Sequence, residues 1–360
     1  DNLSLVHINF PGRLVLMSED IEGIKQIPET DITRIAQDVF GSSARVESME
    51  EIRQSTGGGV PRIIGCNWNL SYIVALAGHE SKYVFRFNRR RYGRDDKAIV
   101  QETQNNALIA AHTDVPTPTI HHMDVSHEFV ATGYIVMDYM IGEDRRYLTH
   151  PHFQGTTPAE KEQITWQVGM ATAKIHTITE AATRAAGAGI CHGLDALERV
   201  ITNSNCEVTP ARIEACRQIA LADPALVLGT LSWSVGDAGI HLAESGSEWK
   251  VSFICDLEYQ GYADPLHDLA PMLCHPEPMW SLKEPLSGNS KGALADAFFD
   301  GYEQIRPIDH ERLGTVAVYA HLGIMCGVAR EAYKADDGPG IEDREPPIYS
   351  KLLAAIEQRG

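Results

Sequence analysis

Two acidic residues stand at the ends of short apolar runs. Asp237 lies in Ser234-Val235-Gly236-Asp237-Ala238-Gly239-Ile240-His241, and Asp256 in Phe253-Ile254-Cys255-Asp256-Leu257-Glu258. The apolar runs read as strands, and the gap between them fits one tight loop. Carboxylates held at neighbouring strand ends can carry phosphoryl transfer. One orients an attacking hydroxyl and takes its proton, while the other holds Mg²⁺ against nucleotide phosphates. Asp also occurs at strand ends simply as a turn former, because its side chain bonds the backbone two residues on. The rest of the chain has to decide between these readings.

The elements that would position such a pair follow from length and pattern. At 360 residues the chain is long enough for two lobes. A hydrophobic fraction of 43% is that of a globular protein, and no apolar run approaches the ~18 residues of a membrane span. Asp1–Phe10 has no basic segment followed by an apolar one, so no signal peptide is expected. A formal net charge of −18 argues against a nucleic-acid partner and is compatible with a cationic small substrate. The 7 Cys form no CxxC pair, and Cys255 and Cys326 have apolar neighbours. The expectation is buried thiols in a reducing, cytoplasmic compartment without structural zinc. The adjacent His121-His122 reads as surface or turn rather than a metal pair.

Ile32–Phe40 has helical spacing behind Thr30-Asp31, a candidate cap. Asn69–Ala77 and Lys82–Asn88 flank a polar turn and predict a hairpin. The Arg89–Arg94 cluster reads as a solvated loop, with phosphate contact as the alternative. Ile99–His112 predicts a helix that Val115-Pro116-Thr117-Pro118 stops. Thr132–Met140 predicts a strand. Helices are then expected over Thr157–Glu180, Ala211–Ala222, Ala293–Ile305, Glu311–Tyr333 and Tyr349–Gln358, and Asp336–Pro347 reads as an exposed connector. Strands followed by helices mean an α+β organisation rather than alternating βαβ units.

This order resembles the aminoglycoside phosphotransferase and choline kinase superfamily, small-molecule kinases with a bilobal protein-kinase-like fold. The likeness runs from Arg62 to Leu273 and rests on several segments. Gly65-Cys66-Asn67-Trp68-Asn69-Leu70-Ser71-Tyr72 resembles the nucleotide-covering hairpin. Arg86 sits where the family places a phosphate-pairing cation, and Glu102 where the next helix supplies its carboxylate partner. Val115-Pro116-Thr117-Pro118 resembles the junction after that helix. Met137-Asp138-Tyr139-Met140 resembles the hinge beside the adenine, and Ala173-Lys174-Ile175-His176 the helix ending in Leu-His. The family's His-Gly-Asp, four residues, Asn becomes Val235-Gly236-Asp237 with Leu242 at the Asn position and His241 one residue earlier. Ile254-Cys255-Asp256-Leu257-Glu258 resembles the second carboxylate string, and Ala263-Asp264-Pro265…Asp268-Leu269-Ala270 the Gly-Asp-Pro…Asp-Leu-Ala string.

The resemblance implies an antiparallel-sheet lobe over 1–138 that binds nucleotide and a mainly helical catalytic lobe over 139–360. It implies Asp237 as the base and Asp256, with His241, at the metal. It implies Arg86, Glu102, Asn67, Asp138 and Met140 at the nucleotide, ATP or GTP with Mg²⁺. Asp268 would buttress the catalytic loop. The acceptor would be a small hydroxyl compound: an aminoglycoside, amino alcohol, sugar or biosynthetic intermediate. The acidic residues Glu143, Asp144, Glu258 and Asp264 are compatible with a cationic one. The replaced His and Asn leave a second reading open, a catalytically impaired pseudokinase that binds nucleotide or ligand as a regulator.

Overall fold

The computed structural model describes residues 7–10, 13–16, 23–52, 69–90, 95–149, 155–181, 194, 209–223, 230–236, 238–258, 260–274, 290–320 and 353–358. The chain forms two compact units. The first comprises Asp1–Tyr147, His152–Gln154 and Asp237–Gln260, and the second the remainder.

The first unit begins with a ribbon, β1 (His7–Phe10) and β2 (Arg13–Leu16), followed by helix α1 (Glu29–Phe40). Five strands then form one antiparallel sheet: β3 (Val46–Glu51), β4 (Asn69–Leu76), β5 (Lys82–Asn88), β6 (Ile120–Asp124) and β7 (Tyr134–Asp138), in the order β3-β4-β5-β7-β6. Strand β5 is central and buried on both faces from Tyr83 to Asn88. Side chains alternate along it. Phe85 and Phe87 join the cluster that Ile32, Ile35 and Ala36 of α1 cover. Val84 packs on the other face with Ile135, Met137 and Ile99 of α2 (Lys97–His112). Arg86 and Asn88 share the face of Val84 by the same alternation, so the pleat aims Arg86 at α2.

The inner stripe of α2 carries Ala98, Ile99, Glu102, Asn105, Asn106 and Ile109. The spacing is that of a buried helix face, yet three of these residues are polar. A second sheet of this unit joins β8 (Glu143–Asp144) to the hairpin of β11 (Gly239–Ser245) and β12 (Glu248–Cys255). The hairpin turns through Gly246 at φ 69°.

The second unit holds helix α4 (Pro158–Ile175), after the short α3 (Arg145–Leu148) that bridges the unit boundary. Thr157 and Glu160 form a capping box at the start of α4. The helix ends at Ile175 rather than Glu180, and Thr179–Ala181 becomes strand β9. It pairs with β10 (Thr230–Trp233), which pairs with β13 (Tyr262–Ala263). Helices α5 (Pro210–Ala222), α6 (Leu266–Cys274) and α7 (Ser290–Glu303) follow. Residues 310–320 and 353–357 are also helical.

Most expected elements appear with shifted ends. The cap expected at Thr30-Asp31 is absent: α1 starts behind Pro28, whose φ of −61° already suits a helix entry. Strands β3 and β6 were not expected. Both are sheet edges, where half-exposed sequences such as Val-Glu-Ser-Met-Glu-Glu blur the alternation. His121-His122 lies in β6 rather than in a turn. Arg89 and Arg90 stand within ion-pair range of Glu51 and Asp96, both at 4.0 Å, while 91–94 lie outside the described residues.

Candidate active site

In the first unit, three carboxylates converge on one guanidinium. Arg86 Nη1 lies 2.9 Å from Glu102 Oε1. Arg86 Nη2 donates to Asp256 Oδ1 and, at 3.1 Å, to Glu258 Oε2. Burial alone would lower the Arg86 pKa. The attraction of Glu102, Asp256 and Glu258 outweighs it and holds the pKa well above the ordinary value, so the group stays charged. The planar fork reaches Glu102 from one nitrogen and Asp256 and Glu258 from the other.

The segment after Asp256 is anchored to the same unit. Asn69 of β4 donates to Glu258 Oε2 at 3.2 Å, and Asn105 of α2 donates to the Leu257 carbonyl at 2.6 Å. Asp256 itself has a φ of 64°, a left-handed conformation that costs a side-chain-bearing residue energy. Its carboxylate is also the accessible one, with 43% of the side chain exposed against 3% for Glu102 and for Glu258. The preceding Cys255 thiol is pushed up in pKa by burial and by the Asp256 charge, so it stays protonated.

His241 lies on β11, opposite Phe253 of β12 and Asp144 of β8. Its ring stacks on Phe253 at 4.3 Å and 9°, and Nδ1 is 3.4 Å from the Gly142 carbonyl. A Cβ on Gly239 would meet His241 Nε2 at 3.1 Å and Cys255 Sγ at 3.2 Å. The ring therefore leans over Gly239, at the end of the hairpin from which Asp256 leaves. Asp138 accepts from His121 Nε2 at 2.7 Å. Burial would raise its pKa, but bonds from His121 and Thr119 outweigh that and lower it. Met140 is half-buried two residues on. Asn67 and Asp237 lie outside the described residues.

In the second unit, Asp268 at the start of α6 collects four donors. Oδ1 accepts from Ser234 Oγ at 2.9 Å and the Gly236 N–H at 3.0 Å. Oδ2 accepts from the Val235 N–H at 2.6 Å and His176 Nε2 at 2.9 Å. His176 Nδ1 lies 2.9 Å from the Tyr302 hydroxyl. The backbone immediately before Asp237 is thus fixed by a buried carboxylate. Asp264 is buried and paired with Arg312 through both oxygens, and it caps Leu266 N–H at 3.0 Å.

Residues 68–308 match the model of the phosphotransferase enzyme family, more than half of the chain. The chain belongs to that family. No curated protein matches it. Solved structures do. An aminoglycoside phosphotransferase, so assigned, from Ralstonia eutropha JMP134 is 16% identical with a TM-score of 0.63, covering 92% of this chain and 99% of that one. The GDP and kanamycin complex of APH(2")-IIia is 12% identical with a TM-score of 0.54, covering 91% and 97%. A macrolide 2'-phosphotransferase type I is 12% identical with a TM-score of 0.53, covering 93% and 98%. At such identities these neighbours speak for the fold. It is the α+β protein-kinase-like fold expected from the sequence, and the enzyme class is that of a phosphotransferase.

Among the described residues, no group of three His, Cys, Asp or Glu side chains forms a protein-only metal cage. Mg²⁺ is usually held by one or two carboxylates together with substrate phosphates. Asp256 offers such a carboxylate, exposed and adjacent to a fixed cation. The Nε of Arg86 is buried with no hydrogen-bond partner among the described residues, which suits a nearby anion.

Two expectations need correction. Glu258 and Asp264 do not offer charge to an acceptor, because both are buried and paired with arginines. Asn105 was overlooked. Its signal was present in the polar residues Glu102, Asn105 and Asn106 recurring on an otherwise apolar helix stripe.

Proposed function

We propose that this phosphotransferase moves the γ-phosphoryl group of ATP or GTP to a hydroxyl of a small molecule, with Mg²⁺. The observation that carries the reading is the Arg86 guanidinium bridging Glu102, Asp256 and Glu258. It ties a strand, a helix and the loop of a metal-binding carboxylate into one charged assembly. Arg86, fixed by Glu102, would hold the α- and β-phosphates. Asn67 would belong to the hairpin above them, and Asp138 and Met140 would border the base. Asp256 would hold the metal with His241, whose ring leans over Gly239. The bound ion would neutralise charge between the phosphates.

Asp237 would orient the acceptor hydroxyl and take its proton as the new oxygen–phosphorus bond forms and the bond to the β-phosphate oxygen breaks. Such a base contributes typically ~10²–10⁴-fold. The donors gathered by Asp268 support this role, since they fix Ser234, Val235 and Gly236 just ahead of it. The acceptor class is proposed as an aminoglycoside, amino alcohol, sugar or related intermediate; kanamycin in a neighbour's complex supports including the first. Acceptor-dependent release of ADP or GDP, measured with Mg²⁺ across a panel of hydroxyl compounds, tests the reading. The Asp237→Ala variant should keep nucleotide binding and lose turnover. Nucleotide binding without turnover on any acceptor would favour the regulator instead.

A further inference from the structure

Asp96 stands where a carboxylate would cap α2, but its side chain does not cap it. Asp95 serves instead, accepting from the Lys97 N–H at 3.2 Å. The Asp96 carboxylate is turned toward the sheet. Oδ1 accepts from Asn88 Nδ2 at 2.9 Å and from the Gly133 N–H at 2.9 Å. Oδ2 meets His127 Nε2 at 2.6 Å, with Arg90 Nη2 at 4.0 Å. The approach needs a glycine opposite, since a Cβ on Gly133 would sit 2.8 Å from Asp96 Cγ.

Backbone strain gathers at the same place. Among the described residues three non-glycines have positive φ: Arg90 at 55°, His127 at 65° and Asp256 at 64°. Two of them face Asp96. Such conformations persist where surrounding contacts over-determine them. The contacts also close a ring. Asn88 follows Arg86 by two residues on the same face of β5, and Glu102 lies in the helix that Asp96 begins. Arg86 and Glu102 then close the circuit at 2.9 Å.

We propose that Asp96 is a positioning residue which, with His127, clamps the entry of α2 to the end of β5 and the start of β7 and so sets Glu102 against Arg86. The proposal rests on the reading of Arg86 as a phosphate ligand. Neither residue touches substrate. The carboxylate accepts from His127 whether the imidazole is neutral or protonated, so the clamp holds across pH. Arg90 after β5 is a further charge beside the carboxylate at 4.0 Å, and Asp95 and Glu128 are the chain neighbours of Asp96 and His127.

Asp96→Asn exposes the device. The Asn oxygen must stay on the Gly133 and Asn88 donors, which leaves its amide N–H facing His127. Neutral imidazole accepts that hydrogen bond, but imidazolium cannot. Relative to the parent, D96N should therefore transfer phosphate normally at pH 8 and lose activity on the order of tenfold by pH 5.5, across the range in which histidine side chains take up charge. The acid loss should vanish in D96N/H127A. As a second arm, His127→Ala should raise the nucleotide KM without changing the acceptor KM, and His127→Gln, a non-titrating donor, should restore it. Hydrogen exchange of the α2 amides at 99–106 should follow the same pattern without any need for turnover. A parent with no transfer would overturn the functional reading, and the exchange data would still decide this one. A pH-independent ratio of D96N to parent in both readouts, or an acid loss that persists in D96N/H127A, or no rescue by His127→Gln, would overturn the clamp.

Discussion

Arg86 Nη1 and Glu102 Oε1 lie 2.9 Å apart, with side chains only 9% and 3% exposed. A buried ion pair is costly to break from one side, because the remaining charge has nowhere to go. Arg86→Ala takes from Glu102 and Glu258 the guanidinium they share and should destabilise the protein by about 3–5 kcal/mol. Arg86→Lys restores the charge as a point rather than a fork. It should recover most of the stability in urea melts, yet lower kcat/KM for nucleotide on the order of 10²-fold, the scale of a misplaced contact. Parental kinetics in the Lys variant would show that charge alone suffices.

Asp256 combines a left-handed backbone with an exposed carboxylate. Asn tolerates that backbone and keeps an oxygen for Arg86, while removing one of three like charges. Asp256→Asn should melt at or above the parental temperature. Asp256→Ala, which keeps the φ and loses the acceptor, should be less stable by about 1–2 kcal/mol from backbone strain alone. Both should lose the Mg²⁺-dependent thermal stabilisation by nucleotide. For the parent at a hundred times Kd that gain is about 2.7 kcal/mol, and differential scanning fluorimetry with and without metal reads it. Retention of the gain in Asp256→Asn would remove Asp256 from the metal site.

How far these sites were legible depended on whether chemistry left a local trace. Asp256 and Arg86 stood in strand-like strings of recognisable type. Strand β5, Lys82–Asn88, was read with its observed ends because its run of apolar residues is buried on both faces. Glu258 was taken as compatible with a cationic acceptor, since nothing local reveals a bond to an arginine 172 residues away. Asp96 was invisible for a related reason. An acid before a helix looks like a cap, and only the structure shows Asp95 in that role and Asp96 turned elsewhere. Edge strands β3 and β6 escaped because half-exposed edges need no clean alternation.

Helices α4 and α7 cross through paired glycines. A Cβ on Gly169 would lie 2.0 Å from the Phe298 carbonyl oxygen, and one on Gly301 2.1 Å from the Trp166 carbonyl oxygen. Both obstacles are backbone, so neither can step aside as a side chain would. Ala at either position is the better helix former by about 1 kcal/mol, yet overpacking should outweigh this, with a net loss of about 1–3 kcal/mol or more. Gly314, in the helix at 310–320, has nothing within 4 Å of its Cβ position. Gly314→Ala should instead gain about 0.4–1 kcal/mol. Urea melts of the three variants should therefore differ in sign, and a stabilising Gly169→Ala would contradict the close crossing.

Asp268 gives the protein a defined acid response. Burial would raise its pKa, but the hydrogen bond and charge of His176, with bonds from Val235 and Ser234, outweigh burial and hold it below the ordinary carboxylate range. A depressed carboxylate contributes stability that is complete above its unfolded pKa, about 3.9, and is lost as pH falls through the folded value. Asp268→Asn places an amide N–H against donors whichever way it is turned, since both oxygens accept. The variant should be less stable by about 1–3 kcal/mol near neutrality. That gap should stay constant from neutrality down to pH 4.5, then narrow below about pH 3.9 as the parental carboxylate is protonated. Turnover should fall with it, although Asp268 touches no substrate, because the backbone ahead of Asp237 loses its anchor. Urea melts of both proteins across this range measure the gap. One that stays unchanged down to pH 3 would mean that Asp268 is not the depressed group.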